Sequence, residues 1–287
     1  MKAMILAAGE GTRLRPFTLQ LPKPAIPFLG VPLAFYGLHL AREVGVNEIV
    51  VNHFHLSGEI KSLFQGLPGY QVQFSDESEG LLGSGGGIHK ARPFLENETT
   101  FLVLNGDEII LPKLEGQLKS ALEHHERSNN IMTILVKDHP DVGTKFGGVW
   151  ADPQNKVIQF SKTPIASLKG WHYTGIILFS NRIFAHFKNA VVEENILYET
   201  AAKAMQAGEK VEAYPIQCEW FETGNPTDFL TATQTCVEKL EAPAIGGWSQ
   251  WLWNFLKTQQ PRSPLVEAND PMMVKKIEML WQRLKAP

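Results

Sequence analysis

Strand-length apolar runs alternate with helix-period segments through the first half of this chain, and that order leaves few folds open. Residues 3–8 read as a buried strand, "PLAFYGLHLAREVG" as a helix closed by Gly45, and "NEIVVN" as the next strand. "LSGEIKSLFQG" is a short helix and "YQVQFS" a strand. "GGGIHKARPFL" opens another helix, and "TTFLVLNGD" is a strand ending on a carboxylate. "LEGQLKSALEHHE" spaces Leu114, Leu118 and Leu122 at a helical period, ahead of the strand "IMTILVK". Strands joined through helices lie parallel and are covered on both faces. The fold class predicted is α/β, with a mostly parallel, Rossmann-like central sheet flanked by helices.

The middle third changes style. "GGVWADPQNKVIQFS" reads as a hairpin turning at residues 153–155, and "HYTGIILFS" as a further strand, together a small antiparallel lobe inserted on the main sheet. "ENILYETAAKAMQAG" is a helix stopped by Gly208, "KVEAYPIQ" a strand, and "NPTDFLTATQTCVEKL" a last core helix with Pro226 in its first turn. Residues 242–287 shift in composition and hold four of the seven tryptophans, which predicts an appended C-terminal helical tail.

The 287 residues are 44% hydrophobic, enough for a sizeable core. A net charge of -3 is not the footprint of a nucleic-acid binder. Cys218 and Cys236 have no metal-type spacing and read as reduced thiols. The opening apolar stretch is too short and too soon charged for a signal peptide, and no run of about 18 apolar residues predicts a membrane span. The expected location is cytoplasmic.

The chemistry starts directly after the first strand, in "LAAGEGTRLRPFTLQLPKPAIPFLG". Glycines are absent from the later positions of a dinucleotide fingerprint, and the G-K-[ST] ending of a P-loop is missing. What remains is a loop whose bare backbone N–H groups can approach oxyanions, followed by Arg13, Arg15 and Lys23. Pro22 and Pro24 fix the backbone on either side of Lys23. Fixed amides and fixed cations at the carboxyl edge of a parallel sheet describe a triphosphate site.

This run resembles the signature of the sugar-1-phosphate nucleotidyltransferases, L-A-A-G-x-G-T-R-L-x-P-x-T-x-x-x-P-K-P, a family with a GT-A-like Rossmann fold. The resemblance covers roughly residues 1–235. It implies that Leu6, Ala7, Ala8, Gly9, Gly11 and Thr12 wrap a nucleoside triphosphate, and that Arg13 and Lys23 neutralise its phosphates as the catalytic cations. "GLLGSGGGIHKA" resembles the family's second loop, L-G-T-A-G, which places Gly83 and Ser84 on the base and sugar. In "FLVLNGDEII" an Asn-Gly hairpin competes with a parallel strand that ends on a carboxylate, and the alternating context favours the strand. The resemblance then puts Asn105 and Gly106 at the nucleotide and makes Asp107 a ligand of the cofactor Mg²⁺. Mg²⁺ needs few protein ligands, so one further carboxylate suffices. Glu222 of "WFETGNPTDFL" stands where the family carries aspartate, and a cap for the following helix is the competing role.

On the acceptor side the resemblance assigns Gly148, Tyr173 and Gly175 to the sugar phosphate. Two departures fall here. "FSKTP" has Thr163 at the family's lysine position with Lys162 one residue earlier, and Tyr173 replaces the usual asparagine. With "EIVVNHFHL" and "GSGGGIHKARPFL", these departures are similar to the bacterial branch acting on N-acetylmuramate 1-phosphate with UTP in cell-wall recycling. Guanylyl transfer to mannose 1-phosphate and cytidylyl transfer to phosphocholine are the alternatives, and a ligand-sensing homologue without turnover is the rival from another class. The chain divides into a catalytic domain, residues 1–241, and the extension 242–287. The nucleotide-binding part spans about 1–137 and the sugar-phosphate part about 138–241. His53, His55 and His89 invite a zinc reading, but no further ligand cluster supports it. Trp248, Trp251 and Trp253 suit a helix packed on the core or on a second subunit, so a homo-oligomer is one expectation. The partners are the triphosphate and a sugar 1-phosphate, with neither nucleic acid nor a membrane.

Overall fold

The computed structural model describes residues 1–241 and, in the tail, residues 272, 274, 275, 278 and 279. Its strands are β1 (Lys2–Leu6), β2 (Pro27–Phe28), β3 (Val31–Pro32), β4 (Glu48–His53), β5 (Gln71–Asp76), β6 (Thr100–Asn105) and β7 (Ile109–Pro112). There follow β8 (Met132–Lys137), β9 (Gly148–Ala151), β10 (Val157–Ser161), β11 (Lys169–Ser180), β12 (Val211–Pro215) and β13 (Cys218–Phe221). The α-helices are α1 (Leu33–Ala41), α2 (Ser57–Phe64), α3 (Gly83–Lys90), α4 (Arg92–Leu95), α5 (Gln117–Arg127), α6 (Ala202–Gln206) and α7 (Pro226–Glu241).

Strands β5, β4, β1 and β6 lie side by side and parallel. β11 runs antiparallel between β6 and β8, and β12 pairs parallel with β8. Their near-continuous apolar composition follows from burial on both faces. Ala3, Ile5, Ile49, Val51, Leu102 and Leu104 face one core under α1. Met4, Val50, Phe101 and Val103 face a second core with β8 and the α3 residue Ile88. All nine residues of α1 are buried, so its apolar run reflects full enclosure rather than one amphipathic stripe.

The expected hairpin forms between β9 and β10, with Asp152 accepting backbone N–H groups from Gln154 and Lys156 and Asn155 at φ 63. The lobe joins the main sheet through β11. β11 is 12 residues long; its first three pair with β9 and its later ones with β6 and β8. Through this one strand β9 and β10 are part of the nine-stranded sheet. Three details correct the sequence reading. α5 begins at Gln117, so Leu114 lies before the helix and is 52% exposed. α3 starts at Gly83, two residues earlier than expected. The helix before Gly208 opens with a π-helical segment, Ile196–Ala201. The Asn-Gly hairpin does not form: β6 ends at Asn105, and β7 pairs with β13 instead.

The described tail positions are helical, and Val274 packs against the α1-side core. Trp248, Trp251 and Trp253 lie outside the described residues. Among the described residues, no helix is long and apolar enough to cross a membrane.

Three buried histidines are held neutral. Burial, followed by neighbouring positive charge, lowers His39 and His125 to about 4 and His172 to about 3. A histidine lowered in the folded state favours folding fully above its unfolded value near 6.5, and that contribution erodes as pH falls. His172 sits among His139, Phe146 and Trp220, and neither of its ring nitrogens has a partner. His172→Phe therefore forfeits no hydrogen bond. We expect it to make the unfolding free energy fall less steeply between pH 6.5 and about 4, by about 1.4 kcal/mol per pH unit. Urea unfolding of both proteins across that range checks this.

Candidate active site

β1 delivers the first glycine loop to the carboxyl edge of the sheet, the edge where open α/β sheets bind ligands. Gly11 has φ 61, and a Cβ there would meet Thr18 at 2.9 Å and Lys23 at 3.1 Å. The loop is thus folded down on the segment carrying Lys23, with the Thr18 hydroxyl donating to the Gly11 carbonyl at 3.0 Å. Lys23 opens a 3₁₀ turn between its two prolines. The loop walls a cleft of about 410 Å³ that brings together Leu6, Ala7, Ala8, Gly9, Gly11, Thr12, Arg13, Lys23, Gly83, Ser84, Asn105 and Asp107. Gly106 is placed differently: it is buried, and its N–H donates to the Leu6 carbonyl at 2.9 Å, joining the ends of β1 and β6 behind the cleft.

Arg13 is exposed, and no ion pair engages its guanidinium among the described residues; it lies across the backbone of Gly224. Lys23 donates to Asp107 Oδ2 at 2.7 Å, which leaves two ammonium N–H groups for a ligand. Glu222 Oε1 accepts the Gly224 N–H at 2.6 Å, and the Thr223 hydroxyl donates to the Asp107 carbonyl at 3.1 Å. These bonds draw the loop after β13 against the end of β6. The other oxygens, Asp107 Oδ1 and Glu222 Oε2, accept no hydrogen bond among the described residues. Two carboxylates with open oxygens fit the oxygen-only, few-ligand preference of Mg²⁺. No cluster of three or more His, Cys, Asp or Glu side chains suited to a metal occurs among the described residues.

A second cleft of about 230 Å³ lies beside the first, lined by Gly148, Tyr173, Tyr198 and Trp220 among others. The two clefts draw their walls from two common chain segments. Asp107 and Gly224 line the first cleft, Glu108 and Glu222 the second. Tyr173 bridges them, its hydroxyl 3.5 Å from Asn105 Oδ1. Glu108 is held above its usual carboxyl range, first by burial and then by repulsion from Asp107, and it accepts the Trp220 indole N–H at 2.6 Å. Gly175 is not a lining residue but sits in the β11 bulge at φ 86, where a Cβ would lie 2.5 Å from Glu108 Cγ. Strain and overpacking add there, so Gly175→Ala should lose about 2–3 kcal/mol in urea unfolding. Thr163 stays out of the second cleft, bonded to Ser161. Lys162 follows the end of β10, with its stem beside Gly147 at the cleft rim.

The second glycine loop serves packing as well as the cleft. The N–H groups of Gly85 and Gly86 donate to the Glu194 carbonyl, and the Ile196 N–H donates to Ser84 Oγ. A Cβ on Gly86 would strike the Val192 carbonyl. The sequence reading missed Asn52 in the first cleft and Glu108 in the second. A polar residue closing an apolar strand at the ligand edge was the available signal for Asn52; nothing marked Glu108 beyond its neighbour Asp107. The three histidines do not converge. His53 is buried near Asp76, His55 bonds the Thr18 carbonyl, and His89 stacks on Phe187.

Glycine loop, uncommitted arginine and sheet edge together define a Rossmann-like α/β protein of the nucleotide-binding kind. The nucleotidyl transferase family model matches residues 2–239, and the chain belongs to that family. It is 33% identical over 255 residues to a UTP–glucose-1-phosphate uridylyltransferase of Synechocystis sp., covering 83% of this chain and 64% of that protein. It is 30% identical over 239 residues to the mannose-1-phosphate guanylyltransferase catalytic subunit beta of Xenopus tropicalis, covering 80% and 63%. The chain thus spans less than two thirds of the length of these relatives. A UTP-bound UGPase from Acinetobacter baumannii shares the fold, with a TM-score of 0.69 at 21% identity over 85% of this chain and 95% of that one.

Proposed function

We propose that this chain transfers a nucleotidyl group from a nucleoside triphosphate, UTP by preference, to a sugar 1-phosphate. The acceptor we favour is N-acetylmuramate 1-phosphate. An acceptor phosphate oxygen forms a bond to the α-phosphorus as the bond from that phosphorus to the β-phosphate bridging oxygen breaks, giving the nucleoside-diphosphate sugar and pyrophosphate. The attacking oxygen is already anionic, so the site needs no general base. The observation that carries this reading is the sharing of Asp107–Glu108 and Glu222–Gly224 by two clefts, with Arg13 and Lys23 on the first. One cleft suits the donor, the other the acceptor, and the shared wall is where they react.

In this reading the first loop's amides and Lys23 hold the triphosphate, and Arg13 stabilises charge growing on the departing pyrophosphate. Asp107 and Glu222 hold Mg²⁺, which when bound supplies further charge neutralisation on the phosphate oxygens. Residues 1–137 supply most of the donor part and 138–241 most of the acceptor part of one catalytic domain, with Gly224 lent to the first cleft and Glu108 to the second, and 242–287 is an extension available to a second subunit. The cytoplasm is the location consistent with two reduced cysteines, both buried here. A uridylyltransferase among the relatives and the "GSGGGIHKARPFL" segment support the uridylyl branch.

The test is pyrophosphate release with Mg²⁺ across UTP, GTP, CTP, dTTP and ATP. Each is paired with N-acetylmuramate, N-acetylglucosamine, glucose and mannose 1-phosphates, and with phosphocholine. Release confined to UTP with N-acetylmuramate 1-phosphate is expected. Release only with GTP and mannose 1-phosphate keeps the family and replaces the branch. Silence throughout, with a nucleotide-induced rise in melting temperature, favours the sensing homologue.

A further inference from the structure

Behind the first cleft the two glycine loops are tied by a buried chain of hydrogen bonds running across the ends of β1, β4 and β5. The Ala7 N–H, in the first loop, donates to Asn52 Oδ1 at 2.7 Å. Asn52 Nδ2 donates to Glu77 Oε1 at 2.6 Å, and the Leu82 N–H, at the head of the second loop, donates to Glu77 Oε2 at 3.2 Å. Asn52 is 2% exposed and Glu77 0%. Glu77 is not among the residues lining the cleft.

The direction of the donors decides what can stand at residue 77. Ala7 N–H fixes the Asn52 amide with its oxygen toward the loop and its nitrogen toward Glu77. Glu77 must then accept from Asn52 on one oxygen and from Leu82 on the other. An ionised carboxylate accepts on both oxygens, whereas a glutamine would turn an N–H₂ group against one of two donors. Gly87 leaves room for the pair, because a Cβ there would sit 2.6 Å from Glu77 Oε1 and 2.8 Å from Asn52 Nδ2. A buried carboxylate whose ordinary value is raised by desolvation is costly to keep for packing alone.

We propose that Glu77 is a positioning residue that, through Asn52 and Leu82, sets the gap between the two loops and so the affinity for the donor nucleotide, without touching it. This rests on the reading of the first cleft as the donor site. Because the gap and not a base contact is set, loosening it weakens binding of every nucleotide by a common factor.

The test is calorimetric binding of UTP, GTP and CTP to the full chain and to Glu77→Gln, beside urea midpoints and kcat at saturating donor. Glu77→Gln should raise each measurable Kd by about tenfold, the equivalent of one lost hydrogen bond to a charged group. The factor should be the same for each base, with kcat near that of the unaltered chain. Gly87→Ala disturbs the same pair from a position that does not line the cleft, while a helical alanine is otherwise favourable. It should shift Kd in the same direction, and it carries the test if Glu77→Gln does not fold. Unchanged Kd with a lowered urea midpoint would overturn the inference, as would loss confined to one base, which would make Glu77 a base reader. No nucleotide binding by the unaltered chain would overturn the donor reading along with it.

Discussion

On the proposed nucleotidyl transfer, Asp107→Asn should lower Mg²⁺-dependent pyrophosphate release by about 10²–10³-fold, the cost of removing one electrostatic element from the site. The substitution keeps shape and removes charge, and its consequences separate two roles. Asp107 Oδ2 is the counter-ion of Lys23, whose side chain is only 11% exposed. Oδ1 is the oxygen left open for a metal. If holding Mg²⁺ is the main role, the Mg²⁺ concentration for half-maximal rate rises, while metal-free nucleotide binding is kept or tightened. Tightening follows because Lys23, deprived of its carboxylate, turns its full charge on the triphosphate. If Asp107 only anchors Lys23, then Asp107→Asn and Lys23→Ala lose rate alike and the Mg²⁺ requirement is unchanged. Steady-state rates titrated with Mg²⁺ decide, and a variant with unaltered rate and Mg²⁺ dependence would remove the metal assignment.

The placement of the first loop was legible in the sequence because it rests on local facts. Bare amides, an arginine and a proline-bracketed lysine follow one strand, and a parallel sheet has a single ligand edge to place them on. The alternation of strands and helices was legible for the same reason: burial on both faces leaves continuous apolar runs. What sequence order hid was long-range. Nothing in "HYTGIILFS" says that one strand serves both the lobe and the main sheet, since that depends on a bulge between Tyr173 and Ile176. The glycines of "GSGGGIHKA" look like a ligand loop because glycine marks any close backbone approach. Here Gly85 and Gly86 are approached by the carbonyls of Glu194 and Val192, more than 100 residues on. Glu77 escaped because a buried polar residue carries no periodic signal, and the role of Asn52, though its place at a strand end was visible, depends on a partner that must be seen to be counted.

Arg13 offers the other large effect. Its guanidinium lies close to the backbone of Gly224: a Cβ there would be 2.8 Å from Arg13 Nη2 and 2.9 Å from Cζ. On that loop Glu222 Oε1 accepts the Gly224 N–H. The arginine lines the first cleft and makes no ion pair among the described residues, which leaves its charge available to a departing pyrophosphate. Arg13→Ala should cut kcat/KM by about 10³-fold with the urea midpoint unmoved, because the side chain is exposed. Arg13→Lys should recover little of this, since a point charge lacks the planar fork that spans two phosphate oxygens. Gly224→Ala reaches the same group from the other side: its Cβ would press on the guanidinium and, more closely still, on Glu222 Oε1, so it shifts both while leaving both charges present. If position matters as much as charge, Gly224→Ala approaches Arg13→Ala in kcat. A rise in KM with kcat untouched in all three would instead make Arg13 an anchor for the bound donor, contributing equally before and during the transfer.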